Sequence, residues 1–357
     1  MRDALAFPAR IANAWRLSEI RRNLSRSPIV SFGGVLARGG LIHGGAIKLL
    51  HLRAAFDTNE KSFNLLYLVS STPPIFAEDL LNRCQRLGIS FVWNQNGVAY
   101  PGWAGKDVKR YNEPMRRLRA RADYVIYQSA FCKDSAERFL GPSEANSEVL
   151  LNPVDLERFR PAATPLPDHP LCLLTLGTHG YAERVLSTIH CVRVLRASGV
   201  DCSLTIAGRL GWRGGLAQTR REIAKLNLAK AITVLPAFTQ DEAAELYRTH
   251  HILLHPKYLD PCPTVVIEAL ASGLPVVASK SGGLPEMVPP SCGALISAPL
   301  RWDKLITPTG EELAAAVQAL IPRLREAAHA ARSHAEMSYD AANWVENHAR
   351  IFRRVLE

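Results

Sequence analysis

The sequence predicts an α/β chain folded as two doubly wound parallel sheets in succession. Three observations carry this. Short apolar runs recur along the chain and alternate with segments of helical spacing. The alternation halts at a proline-rich stretch near residue 160 and then restarts. Finally, 357 residues at 47% hydrophobic and 21% charged are enough to bury two cores.

Residues 1–27 stand apart as a basic N-terminal extension with six arginines interleaved with Leu5, Phe7, Ile11, Trp15, Leu17 and Ile20. Such a mixture fits two readings equally: an amphipathic helix on a membrane surface, or an extension packed loosely on the first domain. Pro8 is expected to break its first turns. The first domain, residues 28–158, begins where Ile29–Phe32, Leu65–Val69, Ser90–Trp93 and Tyr124–Tyr127 read as parallel strands. They are separated by helices over 46–56, 75–87 and 131–140.

Asn152-Pro153-Val154-Asp155 and Pro161, Pro165 and Pro167 form the linker, because successive prolines favour extended backbone. In the second domain, residues 165–335, strands are expected over 171–176, 203–207, 232–235, 252–255, 275–278 and 294–296. Helices are expected near 183–197, 216–226, 240–248, 264–272 and 310–335. Ligands of doubly wound sheets lie outside the C-terminal strand ends, so a cleft between the domains is the expected site.

Charge is uneven. Residues 1–160 hold 23 Lys/Arg against 15 Asp/Glu, whereas residues 161–357 hold 20 against 18. A basic first half points to an anionic partner, a charged glycan or glycolipid or a membrane surface. No RNA- or DNA-binding motif accompanies the charge, so nucleic acid is not expected. The seven cysteines are scattered without a C-x-x-C pair, which predicts reduced thiols and no metal. No run reaches the roughly 18 apolar residues that span a bilayer. The expectation is a cytoplasmic protein, with peripheral contact at the membrane's cytoplasmic face if the extension docks there.

The most informative stretch runs from His255 to Glu286. It reads as strand, rigid loop, helix, strand and glycine turn (Gly282-Gly283), with Asp260 in the loop and Glu268 inside the helix. The N-terminus of that helix, at Pro263, Thr264 and Val265, offers N–H groups suited to a phosphate. Two acids flanking it can grip two parts of one ligand; taken singly, Asp260 reads more simply as a turn cap and Glu268 as a surface ion pair.

This stretch resembles the donor-binding signature of the family 4 glycosyltransferases: an acid, seven residues, a glutamate, then A-x-x-x-G-x-P-V-V and G-G-x-x-E. The resemblance implies the GT-B fold, two Rossmann-like domains, and a retaining transfer from a nucleotide-diphosphate sugar, a co-substrate rather than a bound cofactor. By position, Glu268 would hold the nucleotide ribose and Asp260 the donor sugar, with aspartate where the family usually has glutamate. The loop Leu176 to Arg184 is similar to the family's G-R…E-K loop, whose cations neutralise the diphosphate. Arg184 takes the lysine place and Thr178 the arginine place, leaving Arg209 or Lys257 to supply a second cation.

Three Gly-Gly pairs follow the first strand, and the resemblance favours Gly44 and Gly45 as the pair facing phosphates and acceptor. In Trp93 to Trp103, amides and aromatics suit sugar binding, with Asn96 the candidate where relatives often carry histidine. A self-satisfied amide loop is the equal alternative. Arg110, Arg117 and Arg121 fall near one helix face, either solvated or docked on acceptor phosphates. The segment from Ser338 to Leu356 resembles the family's closing segment, whose terminal helix, 340–357 here, returns to the first domain.

The combined reading is a glycosyltransferase making a polysaccharide or lipopolysaccharide-type glycan. The alternatives are a catalytically weak sugar-binding protein on the same fold, or a sugar-nucleotide epimerase.

Overall fold

A computed structural model describes residues 7–37, 47–164, 166–167, 169–235 and 237–357, with side chains of 7–9, 37 and 47 left aside. The chain divides into two compact units, Met1–Leu151 with Ala342–Glu357, and Asn152–Ala341. The division thus falls at Leu151 rather than after residue 158.

The first unit carries a six-stranded parallel sheet. Its spatial order is Asp57–Thr58, Ile29–Ser31, Leu65–Val69, Ser90–Gln95, Tyr124–Tyr127 and Asn146–Val149. Leu65–Val69 is buried along its whole length, because alternate residues enter separate cores. Leu66 and Leu68 join Phe91, Trp93 and Val125 on one face. Leu65, Tyr67 and Val69 join Val92, Ile126 and the helix Ala341–Leu356 on the other, through Trp344, Ile351 and Phe352. Burying those side chains contributes on the order of 2–3 kcal/mol each.

Residues 7–27 differ from the expectation. An α-helix spans Phe7–Ser18 and includes Pro8, which is tolerated in a first turn where the N–H has no helical partner. Nor is the segment a loose extension throughout: Ile20 is buried in the core, and Arg21–Arg22 pairs in parallel with Ser62–Phe63.

The second unit is a six-stranded parallel sheet. Ile232–Leu235, Cys202–Ala207, Leu171–Leu176, Ile252–His255, Val276–Lys280 and Gly293–Ser297 lie in that spatial order. Numbered by sequence, this is 3-2-1-4-5-6, so the chain reverses its direction of growth between Leu171–Leu176 and Ile252–His255. The helix expected over 310–335 is two, Gly310–Leu320 and Leu324–Ser338, joined by a 3₁₀ turn at Ile321–Arg323. Pro322 lacks the N–H that a continuous helix needs. A capping box, Thr309 with Glu312, starts the first of the two.

None of the seven cysteines is in a disulfide; six are buried and Cys172 is half-buried. Among the described residues, no helix is long and apolar enough to cross a membrane. No group of three or more His, Cys, Asp or Glu there could hold a metal ion.

Candidate functional site

At the carboxyl edge of the second sheet, two loops leave the neighbouring strands Leu171–Leu176, which borders the reversal, and Cys202–Ala207. Gly177 and Gly208 end adjacent strands with positive φ, and a Cβ on Gly208 would meet the Gly177 carbonyl at 2.0 Å. Without side chains there, the loops zip together: His179 N–H donates to Arg209 O (2.9 Å) and Gly211 N–H to His179 O (2.7 Å). The zipper turns Thr178 and Arg209 to solvent and buries His179, whose Nε2–H donates to Ala207 O at 3.1 Å. Burial depresses the His179 ring to about 4, with the Ala207 hydrogen bond opposing. His179 is therefore neutral near pH 7, held between two loops. His255 and Arg184 both act on it electrostatically, which places them at the same sheet edge.

Arg184 lies in the first turn of the helix Ala182–Ala197, its guanidinium 4.9 Å from the Tyr181 ring centroid. Opposite, the segment after Ile252–His255 is strongly constrained. Leu259 adopts φ 49° and donates its N–H to Ser281 Oγ at 3.0 Å. Gly283 N–H donates to Asp260 O (2.9 Å), and a Cβ on Gly282 would lie 2.3 Å from that same oxygen. The glycine turn is thus the clamp on the Asp260 loop.

The Asp260 side chain is buried, with Oδ2 accepting from His255 Nε2 (3.0 Å) and Lys257 Nζ (2.9 Å). Burial opposes its charge, yet the Lys257 ammonium and the His255 hydrogen bond outweigh it and hold the carboxyl well below the usual range. Lys257, the suggested second cation, is therefore paired with the suggested sugar contact, while 40% of its side chain stays exposed.

The helix Thr264–Ala271 begins at Pro263 without a side-chain cap, and its first turn abuts the loop, Val265 lying beside Gly177. One turn on, the half-buried Glu268 accepts from the Tyr247 hydroxyl at 2.9 Å. Burial pushes its carboxyl up to about 7, against the Tyr247 hydrogen bond and the Arg158 charge. Asp260, Lys257, Glu268, Thr178, Arg184, Arg209 and Pro263 to Val265 thus all lie on elements at or next to this edge. His255, Tyr247 and Ser281 were missed by sequence reading. An apolar strand ending in histidine was the available signal for the first.

Residues 158–307 match the family Glycosyl transferases group 1. The match takes in both loops and the Asp260-to-Glu286 segment of the second unit, and it supports a glycosyltransferase family. The chain is 27% identical over 201 residues to a glycogen synthase of Mycobacterium tuberculosis, covering 56% of this chain and 48% of that protein. It is 32% identical over 183 residues to a D-inositol 3-phosphate glycosyltransferase of Streptomyces bingchenggensis, covering 47% and 40%. The chain therefore spans less than half the length of these curated relatives. Among solved structures, sucrose-phosphate synthase from Thermosynechococcus elongatus aligns with TM-score 0.66 at 18% identity, over 87% of this chain and 76% of that one. Anabaena HepE in complex with UDP-glucose aligns with TM-score 0.67 at 15% identity, over 87% and 90%. The fold class is GT-B, with a Rossmann-like build in each unit.

In the first unit, Gly44 and Gly45 lie outside the described residues. Asn96 follows the strand Ser90–Gln95, is half-buried, and belongs to a polar network that runs from buried Asn94 to exposed Ser71. Its Oδ1 accepts from Lys48 Nζ (3.3 Å) and from Gln128, and its Nδ2 donates to Ser71 Oγ (2.8 Å). Lys48 also donates to Asn94 Oδ1 at 2.7 Å, and Gln128 Nε2 to the same oxygen at 2.9 Å. The amides are thus largely satisfied by one another. Lys48, a lysine among the apolar residues of its helix, is the member that sequence reading missed. Trp93 is buried and bonds Gln95 Oε1, so it cannot stack on a sugar; Trp103 is exposed beside Tyr111, with ring centroids 5.4 Å apart.

The basic run is mostly paired within the protein. Arg117 meets Glu78 at 3.0 Å, Arg116 meets Glu113 at 2.7 Å, and Arg121 donates to Asn82 Oδ1 at 2.8 Å. Arg110 lies 3.8 Å from Asp107. Arg119 is buried and donates to the Tyr127 hydroxyl (3.2 Å) and to Gly141 O, a structural role. Asp107, Glu113 and Glu78 offset only part of the positive charge of this run.

Proposed function

We propose that this protein is a retaining glycosyltransferase that moves a hexosyl-type sugar from a nucleotide-diphosphate sugar to an anionic glycan or glycolipid. Its place is at the cytoplasmic face of a membrane, in polysaccharide or lipopolysaccharide-type synthesis. The observation that carries the reading is the pairing, at the reversal point of one parallel sheet, of a clamped, charge-held Asp260 with Glu268 across an uncapped helix N-terminus. It is supported by the family match over the same residues and by the UDP-glucose that HepE, of similar fold, binds.

Glu268 accepts from the ribose hydroxyls and Asp260 Oδ1 from a sugar hydroxyl. Arg184 and the amides of Thr264 and Val265 receive the charge that grows on the diphosphate, joined by Lys257 or Arg209. With these groups in place the reading requires no metal or organic cofactor. The bond from the anomeric carbon to the phosphate oxygen breaks while the acceptor oxygen bonds to the same face, and the acceptor's proton passes to the departing phosphate. Gly44, Gly45 and Asn96 serve the phosphate and acceptor side.

A thermal-shift screen of nucleoside diphosphates and nucleotide sugars tests this. One base should raise the melting temperature of the wild type and fail with Glu268→Ala. No stabilisation by any of them would favour a sugar-binding protein without transferase activity, the reading to which Asp260's internal pairing and the exposed Thr178 otherwise lean.

A further inference from the structure

The helix Phe7–Ser18 is oriented against the usual rule. Its inward side carries Asn13, which is buried, and Arg16, which donates to Gly33 O and Asn13 Oδ1, each at 3.3 Å. Its outward strip is Ile11, Ala14, Trp15 and Ser18, spaced i, i+3, i+4 and i+7. Trp15 is 66% exposed and Ile11 55%. A helix on a soluble domain normally turns such residues inward. The orientation is anchored: Leu17 packs against the core, Ile20 is buried in it, and the chain continues into the strand pair with Ser62–Phe63.

The same segment is one-sided in charge. Residues 7–27 hold five arginines and one acid, Glu19, which pairs with Lys61 at 3.1 Å. Arg21, Arg22 and Arg26 are exposed beside Leu24, itself 86% exposed.

We propose that this face docks on an anionic lipid bilayer, with Trp15 and Ile11 inserted at headgroup level and Arg21, Arg22 and Arg26 on lipid phosphates. Magnitudes favour lipid over a protein. Three large apolar side chains cover far less than the about 800 Å² per partner of a specific protein interface. Tryptophan prefers the membrane–water interface, and each arginine near an anionic surface strengthens binding about fivefold. The inference deepens the glycolipid reading and rests on it for its purpose; its observations are those of the first unit alone.

The test is flotation of the full chain with phosphatidylcholine vesicles, with and without phosphatidylglycerol. The wild type should float only with the anionic vesicles; Ile11→Ser/Trp15→Ser should bind about tenfold more weakly, and Arg21→Glu/Arg22→Glu at least about 25-fold more weakly. Both should keep the wild-type melting temperature and any nucleotide-induced shift, so failure of this surface is separable from failure of the donor site. Vesicles with brominated acyl chains should quench tryptophan fluorescence in the wild type and less so in Trp15→Phe. Equal flotation of all three proteins, no flotation with anionic vesicles, or a dimer that the Ile11→Ser/Trp15→Ser variant abolishes without any lipid binding would overturn the proposal.

Discussion

The carboxyl edges of the two sheets are built from different chemistry. In the second unit the edge is built from charge: Asp260 with Lys257 and His255, Glu268 under Tyr247, Arg184 at a helix start. In the first unit it is built from amides and hydroxyls, Asn94, Asn96, Gln128 and Ser71, around the ammonium of Lys48. Charged groups in a partly buried edge give strong fields where a diphosphate would separate charge. Amides give direction, and under the proposed function they would suit a hydroxyl-rich acceptor. The contrast teaches that similar folds acquire different chemistry from what ends their strands.

Titration would sharpen the contrast most. In the first unit, fully buried His348 donates Nδ1–H to Trp344 O (2.9 Å) and accepts from the Tyr67 hydroxyl (3.1 Å), and burial depresses the ring to about 3. A depressed base stabilises the fold above its ordinary value, here 6.5, and that stability is lost as pH falls through about 3. The loss should reach on the order of 4 kcal/mol. Hydrogen exchange in first-unit peptides should follow this acid arm, and His348→Asn should flatten it.

Glu268 has the opposite sign. Its raised carboxyl favours the fold below about 4.5, and the advantage is lost as pH rises through about 7. Glu268→Gln should remove that arm from second-unit peptides alone. If either variant left its arm intact, the charge-against-amide distinction would lose its titrating groups.

Asp260→Ala comes next, at about 2 kcal/mol, because it strands buried His255 while the half-exposed Lys257 can turn to water. Urea unfolding measures it, and nucleotide-sugar stabilisation should vanish with it. Stabilisation that survived would remove Asp260 from the donor site. The smallest effect is Tyr67→Phe, about 1 kcal/mol for one buried hydrogen bond to His348, with nucleotide stabilisation unchanged.

Part of the fold is legible in the sequence. Leu65–Val69 and Leu171–Leu176 announce themselves as continuous apolar runs because a parallel strand is buried on both faces. The Asp260 and Glu268 spacing is legible as well, since a loop and the single short helix that follows it keep both acids local. The short strands Asp57–Thr58 and Asn146–Val149 are not, being mostly polar edge segments defined by their neighbours. Pro8 misleads because a proline is tolerated or disruptive according to where the helix starts.

By itself the sequence determined the alternation of strands and helices, the proline stretch near residue 160, and the acids of the Asp260-to-Glu286 segment, because these depend on residues close in the chain. Tertiary structure alone decided which partners those residues meet. His255 and Lys257 turn to one oxygen of Asp260, Tyr247 reaches Glu268 across 21 residues, and Tyr67 meets His348 across 281. Hydrogen bonds and burial act through a few ångströms of space, and distance along the chain carries no record of them.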